Sequence, residues 1–174
     1  QELARYHNNL ATKLMDSGEP AAAQAQLNEA LRQQIRLVAD FPAVPSYRVE
    51  LARSHANSGI VSTQVDATSA EAHFRAALEI QTRLVAEFPE VPGHLQDLAS
   101  THNSLGNLLF DANRLEDADN ESRTAIRIRE DVEDQIVGGP VAGGGGKDHM
   151  VDKVLEEVTV IDAVAFEVEY AVVP

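Results

Sequence analysis

The chain has 174 residues, 44% hydrophobic and 24% charged, a composition that suits one ordinary folded domain or a short repeat array. Its 14 Lys and Arg stand against 28 Asp and Glu, a formal net charge of -14, and no local Lys/Arg cluster offsets it, so nucleic-acid phosphates and anionic membranes are poor partners. Cys is absent, which removes disulfides and thiolate metal sites and fits a reducing, cytoplasmic setting, and no apolar run reaches the about 18 residues of a membrane span.

The chain opens inside a helical pattern at Gln1, with neither an initiator Met nor a signal peptide, so it is expected to belong to a longer polypeptide. The spacing predicts a first helix over 2-16. Gly18 can take the left-handed conformation that ends it, and Pro20 suits the first turn of a second helix over 20-40. Ala23, Leu27, Ala30, Leu31, Leu37, Val38 and Phe41 form that helix's apolar stripe, in steps of three, four and seven. Phe41-Pro42 stops it, because the residue before proline is pushed out of helical geometry, and Pro45 opens a third helix over 45-63.

The pattern then returns. Leu37-Val-Ala-Asp-Phe-Pro-Ala-Val-Pro45 reappears as Leu84-Val-Ala-Glu-Phe-Pro-Glu-Val-Pro92, and the stripe reappears as Ala70, Phe74, Ala77, Leu78, Leu84, Val85 and Phe88. Leu3-Ala-Arg-Tyr-His7 is echoed by Leu51-Ala-Arg-Ser-His55 and Leu98-Ala-Ser-Thr-His102, with the His residues 48 and 47 apart. A segment recurring at a fixed interval is the signature of a repeat array. Thr68-Ser-Ala-Glu71 reads as a capping box for a fourth helix over 68-87. A fifth follows over 92-111, and Asn113, standing where Gly18 stands, ends it before a sixth over 114-135. Short turns between them predict antiparallel neighbours that stack into one core.

At Gly138 the composition changes. Residues 138-147 read as a Gly-rich linker after a helical array over 1-137. Residues 148-174 read as a β-prone tail, with Val164, Phe166, Val168, Tyr170 and Val172 alternating with Ala165, Glu167, Glu169 and Ala171. A lone strand needs a mate, so the tail is expected to pair with something, lie on the helices or stay disordered. It is expected to begin a truncated second domain, and His149-Met150 also reads as a cloning junction.

Leu105-Gly106, Leu109, Ala118 and Ala125 fall at the signature spacing of tetratricopeptide (TPR) repeats, as do Leu10-Ala11, Leu14, Ala23, Leu27 and Ala30, and Ser58-Gly59, Ala70, Phe74 and Ala77. Residues 2-136 therefore resemble a TPR array. The resemblance implies an all-α fold of three antiparallel helix hairpins stacked as a right-handed solenoid. The unit of about 47 residues is longer than the family's usual value of about 34. That length, with the Leu-Ala-Arg-Ser-His and Phe-Pro-x-Val-Pro motifs, is similar to bacterial arrays often attached to Ser/Thr protein kinase domains, which implies a signalling scaffold. His stands where the family has an early Trp, Ser122 where an aromatic is common, and Ser62 is polar where Leu14 and Leu109 are not, so the second unit is expected to pack least well.

The resemblance also implies a concave groove lined by the first helices, at Arg5, Asn8 and Thr12, then Arg53, Ala56 and Ile60, then Ser100, Asn103 and Asn107. Asn can hold an extended peptide's backbone, and Arg5 and Arg53 can engage a carboxylate. The family's carboxylate clamp needs a Lys followed four residues later by Asn, which Asn8/Thr12 and Asn103/Asn107 do not supply. The expected partner is a protein or peptide segment held in this groove. The rival expectation is a structural spacer or self-association element whose Val164-Val172 strand pairs between chains.

Other constellations carry less. His7, His55 and His102 form a column, but stacked helices place equivalent atoms about 10 Å apart, too far for one ion. Each is expected to fill a packing slot with its nitrogen bonded to the neighbouring helix. Gly143-Gly-Gly-Gly146-Lys147 fails as a phosphate loop, since Val141 takes the first glycine's place and Asp148 that of Ser/Thr. Glu116, Asp117 and Asp119 suit the start of a helix, where negative charge meets the dipole. No Ser-His-Asp or Cys-His arrangement is recognisable, so neither catalysis, a metal nor a cofactor is expected.

Overall fold

A computed structural model describes the chain over residues 2-137. Six α-helices fill it, α1 (Glu2–Asp16), α2 (Pro20–Asp40), α3 (Pro45–Ser62), α4 (Ala67–Glu87), α5 (Pro92–Asp111) and α6 (Leu115–Val137), and no strand occurs among the described residues. Each helix packs on the next, and α1 also touches α3, as α3 touches α5. This all-α arrangement of adjacent packed helices is compatible with a helical repeat. The linker expected over 138-147 and the tail over 148-174, with its Val164-Val172 strand, lie outside the described residues.

The chain punctuates its helices largely as its turn residues dictate. α1 and α5 end in residues with left-handed backbone, Gly18 at φ 75° and Asn113 at φ 59°. In both, the next two amides fold back on the last turn: Gly18 N donates to Met15 O and Glu19 N to Leu14 O, as Asn113 N does to Phe110 O and Arg114 N to Leu109 O, all at 2.9 Å. These bonds occupy carbonyls that a helix end otherwise leaves free. Pro20, Pro45 and Pro92 each open a helix, where a missing N–H costs nothing. Phe41 and Phe88 close the helices before the prolines, and each meets an aromatic ring six residues on, Tyr47 at 6.0 Å and His94 at 6.2 Å between centroids.

One junction departs from expectation. The capping box expected at Thr68-Ser-Ala-Glu71 does not form. Asp66 is the N-cap instead: its carboxylate accepts from Thr68 N at 3.0 Å and from the Ser69 hydroxyl, and the helix begins at Ala67. Glu71 is thereby released to pair with Arg75 and Arg114. The turn before Asp66 holds no residue with left-handed backbone, and α3 stops at Ser62.

The core follows most of the expected stripes, while at their C-terminal ends Phe41 is exposed and Leu37, Val38 and Phe88 are only half-buried, because the helices end there at the prolines. Ala23, Leu27, Ala30 and Leu31 of α2 are buried, as are Ala70, Phe74, Ala77, Leu84 and Val85 of α4. Phe74 is 1% exposed and packs with Leu105, Leu108, Leu109 and Ala118, joining α4, α5 and α6. Burying one such ring contributes about 2–3 kcal/mol. α3 adds a polar note, since Ser54, Ser58 and Ser62, four apart on one helix face, are all buried. Ser54 accepts from Asn8 of α1, and Ser62 donates to Gln24 of α2 at 3.2 Å, so hydrogen bonds help to hold α3 on the helices before it.

Candidate functional site

A cleft of about 240 Å³ opens between α1 and α3, lined by Arg5, Asn8, Asn9, Thr12, Glu50, Arg53 and Asn57. Helical geometry assembles it. Residues 5, 8, 9 and 12 are three, four and seven apart and share one face of α1, and 50, 53 and 57 do the same on α3. Four of the groove residues expected from the sequence, Arg5, Asn8, Thr12 and Arg53, thus meet in one place.

The others do not join them. Ala56 and Ile60 stand on α3 beside this lining, Ala56 half-buried and Ile60 exposed. Ser100, Asn103 and Asn107 belong to α5 and line no part of this cleft. Asn8 also departs from its expected role as a free peptide-holding amide. It is only 6% exposed, and its Nδ2 donates to the buried Ser54 Oγ at 2.7 Å, so its donor is committed to holding α1 on α3. Its Oδ1 remains buried without a hydrogen-bond partner. A buried amide oxygen left so costs about 1–3 kcal/mol.

Sequence reasoning passed over Asn9, Glu50 and Asn57. A signal was present: Asn9 and Asn57 both stand two residues after the repeated His, at His7 and His55. The third unit has Ser104 there, whose hydroxyl turns back to Ser100 O at 3.1 Å, and this breaks the pattern.

The cleft is polar and mixed in charge. Arg5 lies 3.7 Å from Glu2 and Arg53 3.4 Å from Glu50, each on its own helix. Exposed pairs of this kind contribute little, about 0–1 kcal/mol, so both guanidiniums can exchange their partners. Each carries five donors in a planar fork suited to carboxylates and carbonyls. Asn9 and Asn57 add donors and acceptors on either side.

The repeated histidines sit elsewhere, between each odd-numbered helix and the next. His7 Nδ1 meets Gln26 Oε1 at 2.7 Å, His55 Nδ1 meets His73 Nδ1 at 3.2 Å, and His102 Nδ1 meets Glu121 Oε2 at 2.6 Å. The expectation that each nitrogen bonds to the neighbouring helix therefore holds at all three. Burial, with the His73 imidazole alongside, pushes His55 down to about 4, and burial lowers His73 as well. Among the described residues no group of three or more His, Asp or Glu is arranged to hold a metal ion. The acidic cluster at the start of α6 is exposed, with Asp117 paired to Arg114 and Asp119 to Arg123.

Among the described residues no helix is long and apolar enough to cross a membrane. No protein-family model matches the chain, and neither a curated protein nor a solved structure matches it.

Proposed function

We propose that the chain is a protein–protein interaction module, built of three TPR-like antiparallel hairpins stacked as a right-handed solenoid and belonging to a larger signalling protein. It holds an extended peptide or protein segment across its odd-numbered helices. The observation that carries this reading is the cleft between α1 and α3, which two exchangeable guanidiniums and the side chains of Asn9 and Asn57 line together. These groups suit a peptide backbone, which offers a donor and an acceptor at nearly every residue. Arg5 and Arg53 add a preference for a carboxylate-bearing segment.

Peptides selected on the immobilised chain from a random display library provide the test. Replacing Arg5, Asn9, Arg53 and Asn57 with Ala is expected to weaken the selected peptides at least tenfold, about 1.4 kcal/mol, while helicity stays unchanged. Asn8 is left intact because its loss would disturb Ser54. Equal affinity of the variant and the original chain would overturn the assignment.

A further inference from the structure

The sequence repeat sets α1 in register with α3 and α5. Leu3, Tyr6 and Leu10 correspond to Leu51, Ser54 and Ser58, and to Leu98, Thr101 and Leu105. On α3 and α5 all six counterparts are buried, and these helices follow α2 and α4, which pack on them. On α1 the same face has no preceding helix among the described residues. Leu3 is 57% and Tyr6 60% exposed, and Leu10 is half-buried.

The opposite end is the complement. Leu31 and Gln34 of α2 are buried, and on α4 Gln81 is buried and Leu78 half-buried. Their counterparts on α6 are Ile126, 53% exposed, and Arg129, also exposed. The two ends thus present the two halves of a junction that the molecule already makes twice.

We infer that α6 of one copy packs on α1 of a second copy, head to tail, repeating between molecules the α2/α3 and α4/α5 junctions within one. The internal register fixes which residues meet. Leu78 packs against the cluster that holds Leu95, Leu98 and Ala99 of α5, and the corresponding placement brings Ile126 to the Leu3 end of α1. Gln81 lines the same pocket as Asp97, and the corresponding pair across the new junction is Arg129 and Glu2, a cation facing an anion. Leu108 packs with Ala70 and Ala118, and the corresponding placement sets Lys13 near Ala118 and its neighbour Asp119. Arg129 stands where the internal junctions have Gln34 and Gln81, Lys13 stands where they have Val61 and Leu108, and each of these new cations faces an acid of the other copy, Glu2 and Asp119. Asp119 pairs with Arg123 on its own helix at 2.7 Å, an exposed contact that Lys13 joins. This charge match selects a second copy as the occupant.

Such a contact is heterologous, using different faces of the two copies, so association is not limited to a dimer. The net charge of -14 per copy opposes it, so added salt strengthens it. The inference rests on the repeat register and is independent of the α1/α3 cleft.

Sedimentation velocity of the full chain, over a concentration series at low and raised ionic strength, tests it. The expected result is an average mass that rises with concentration beyond a dimer, more so at higher salt. Leu3→Asp/Tyr6→Glu blocks one end and Ile126→Glu/Arg129→Glu the other, and each variant alone is expected to lose association at least tenfold. Circular dichroism checks that both remain helical. An equal mixture of the two variants keeps one intact junction and is expected to form a dimer and nothing larger. A monomer throughout the series overturns the inference, and so does a mixture that fails to dimerise. Association that survives in both variants also overturns it, and points instead to contacts elsewhere, such as a strand from residues 164-172. A second arm uses milder changes: Arg129→Glu weakens the junction and Glu2→Arg in the same chain restores it, whereas no restoration contradicts the proposed register.

Discussion

A methyl group added at Gly59 would stand 2.6 Å from the Phe74 ring, which is buried and has nowhere to move. The corresponding pairs are Ala11 with Leu27 and Gly106 with Ser122, so each unit balances a small residue on one helix against the side chain opposite. Gly59→Ala gains about 1 kcal/mol of helix propensity but overpacks the core by about 1–3 kcal/mol. The expected net loss is about 1 kcal/mol in urea denaturation. Combining it with Phe74→Leu rebuilds the Ala11/Leu27 pair, and the double-mutant cycle is expected to show favourable coupling. Additive losses would refute the pairing. A second effect comes from the His55–His73 contact. Its histidines titrate below the ordinary value of about 6.5, His55 at about 4, so the unfolded chain takes up these protons first as the pH falls. The stability they contribute is present above about pH 6.5 and lost between there and pH 4. Thermal melts are expected to show a decline in that window that flattens when both are replaced by Gln. Glu71 and Glu87, both lowered by hydrogen bonds from Arg side chains, add their losses only below the ordinary carboxylate value. The residue scale was the hardest to read in the sequence. Asn8 looks like any polar helix residue, and only the Ser54 hydroxyl 2.7 Å away shows that its donor is spent inside the fold.

At the scale of elements the sequence was most legible, because periodicity and punctuation agreed. Gly18, Asn113 and the three helix-opening prolines act through local backbone chemistry that needs no partner elsewhere in the fold. The α3–α4 turn was misread for a physical reason. Asp66 and Thr68 are both good caps, and the choice between them depends on Glu71, which pairs with Arg114 forty-three residues away rather than folding back on its own helix. Asp66→Ala is expected to cost about 1 kcal/mol through loss of the cap, with the largest change in amide exchange in the first turn of α4. Thr68→Ala, which removes no cap bond, is expected to cost less than half as much. Equal losses would restore the capping-box reading. Arg48 of α3 forms a two-bond pair with Glu87 at the end of α4, at 2.5 and 2.7 Å, and so ties the same two helices at their other end.

Across the molecule, the repeat decides which faces are free. The odd-numbered helices touch in sequence, α1 on α3 and α3 on α5, and this brings residues 45 or so apart into a common cleft. Arg5, Thr12 and Arg53 could be named in advance because the TPR resemblance implied a groove at those positions. Asn9 and Asn57, each two residues after a repeated His, were legible as a pair, whereas the part of Glu50 depends on the approach of α1 to α3, which the Asn8–Ser54 bond joins. Asn103 and Asn107 share the repeat position but sit on α5 and do not line this cleft. Binding of an extended peptide in the α1/α3 cleft is tested by amide and side-chain NMR of the isotope-labelled chain, titrated with a peptide selected on it. Saturable shifts are expected at Arg5, Asn8, Asn9, Thr12, Glu50, Arg53 and Asn57, as is their loss in the four-Ala variant. Shifts that saturate elsewhere on the helices and leave these residues unmoved would contradict it.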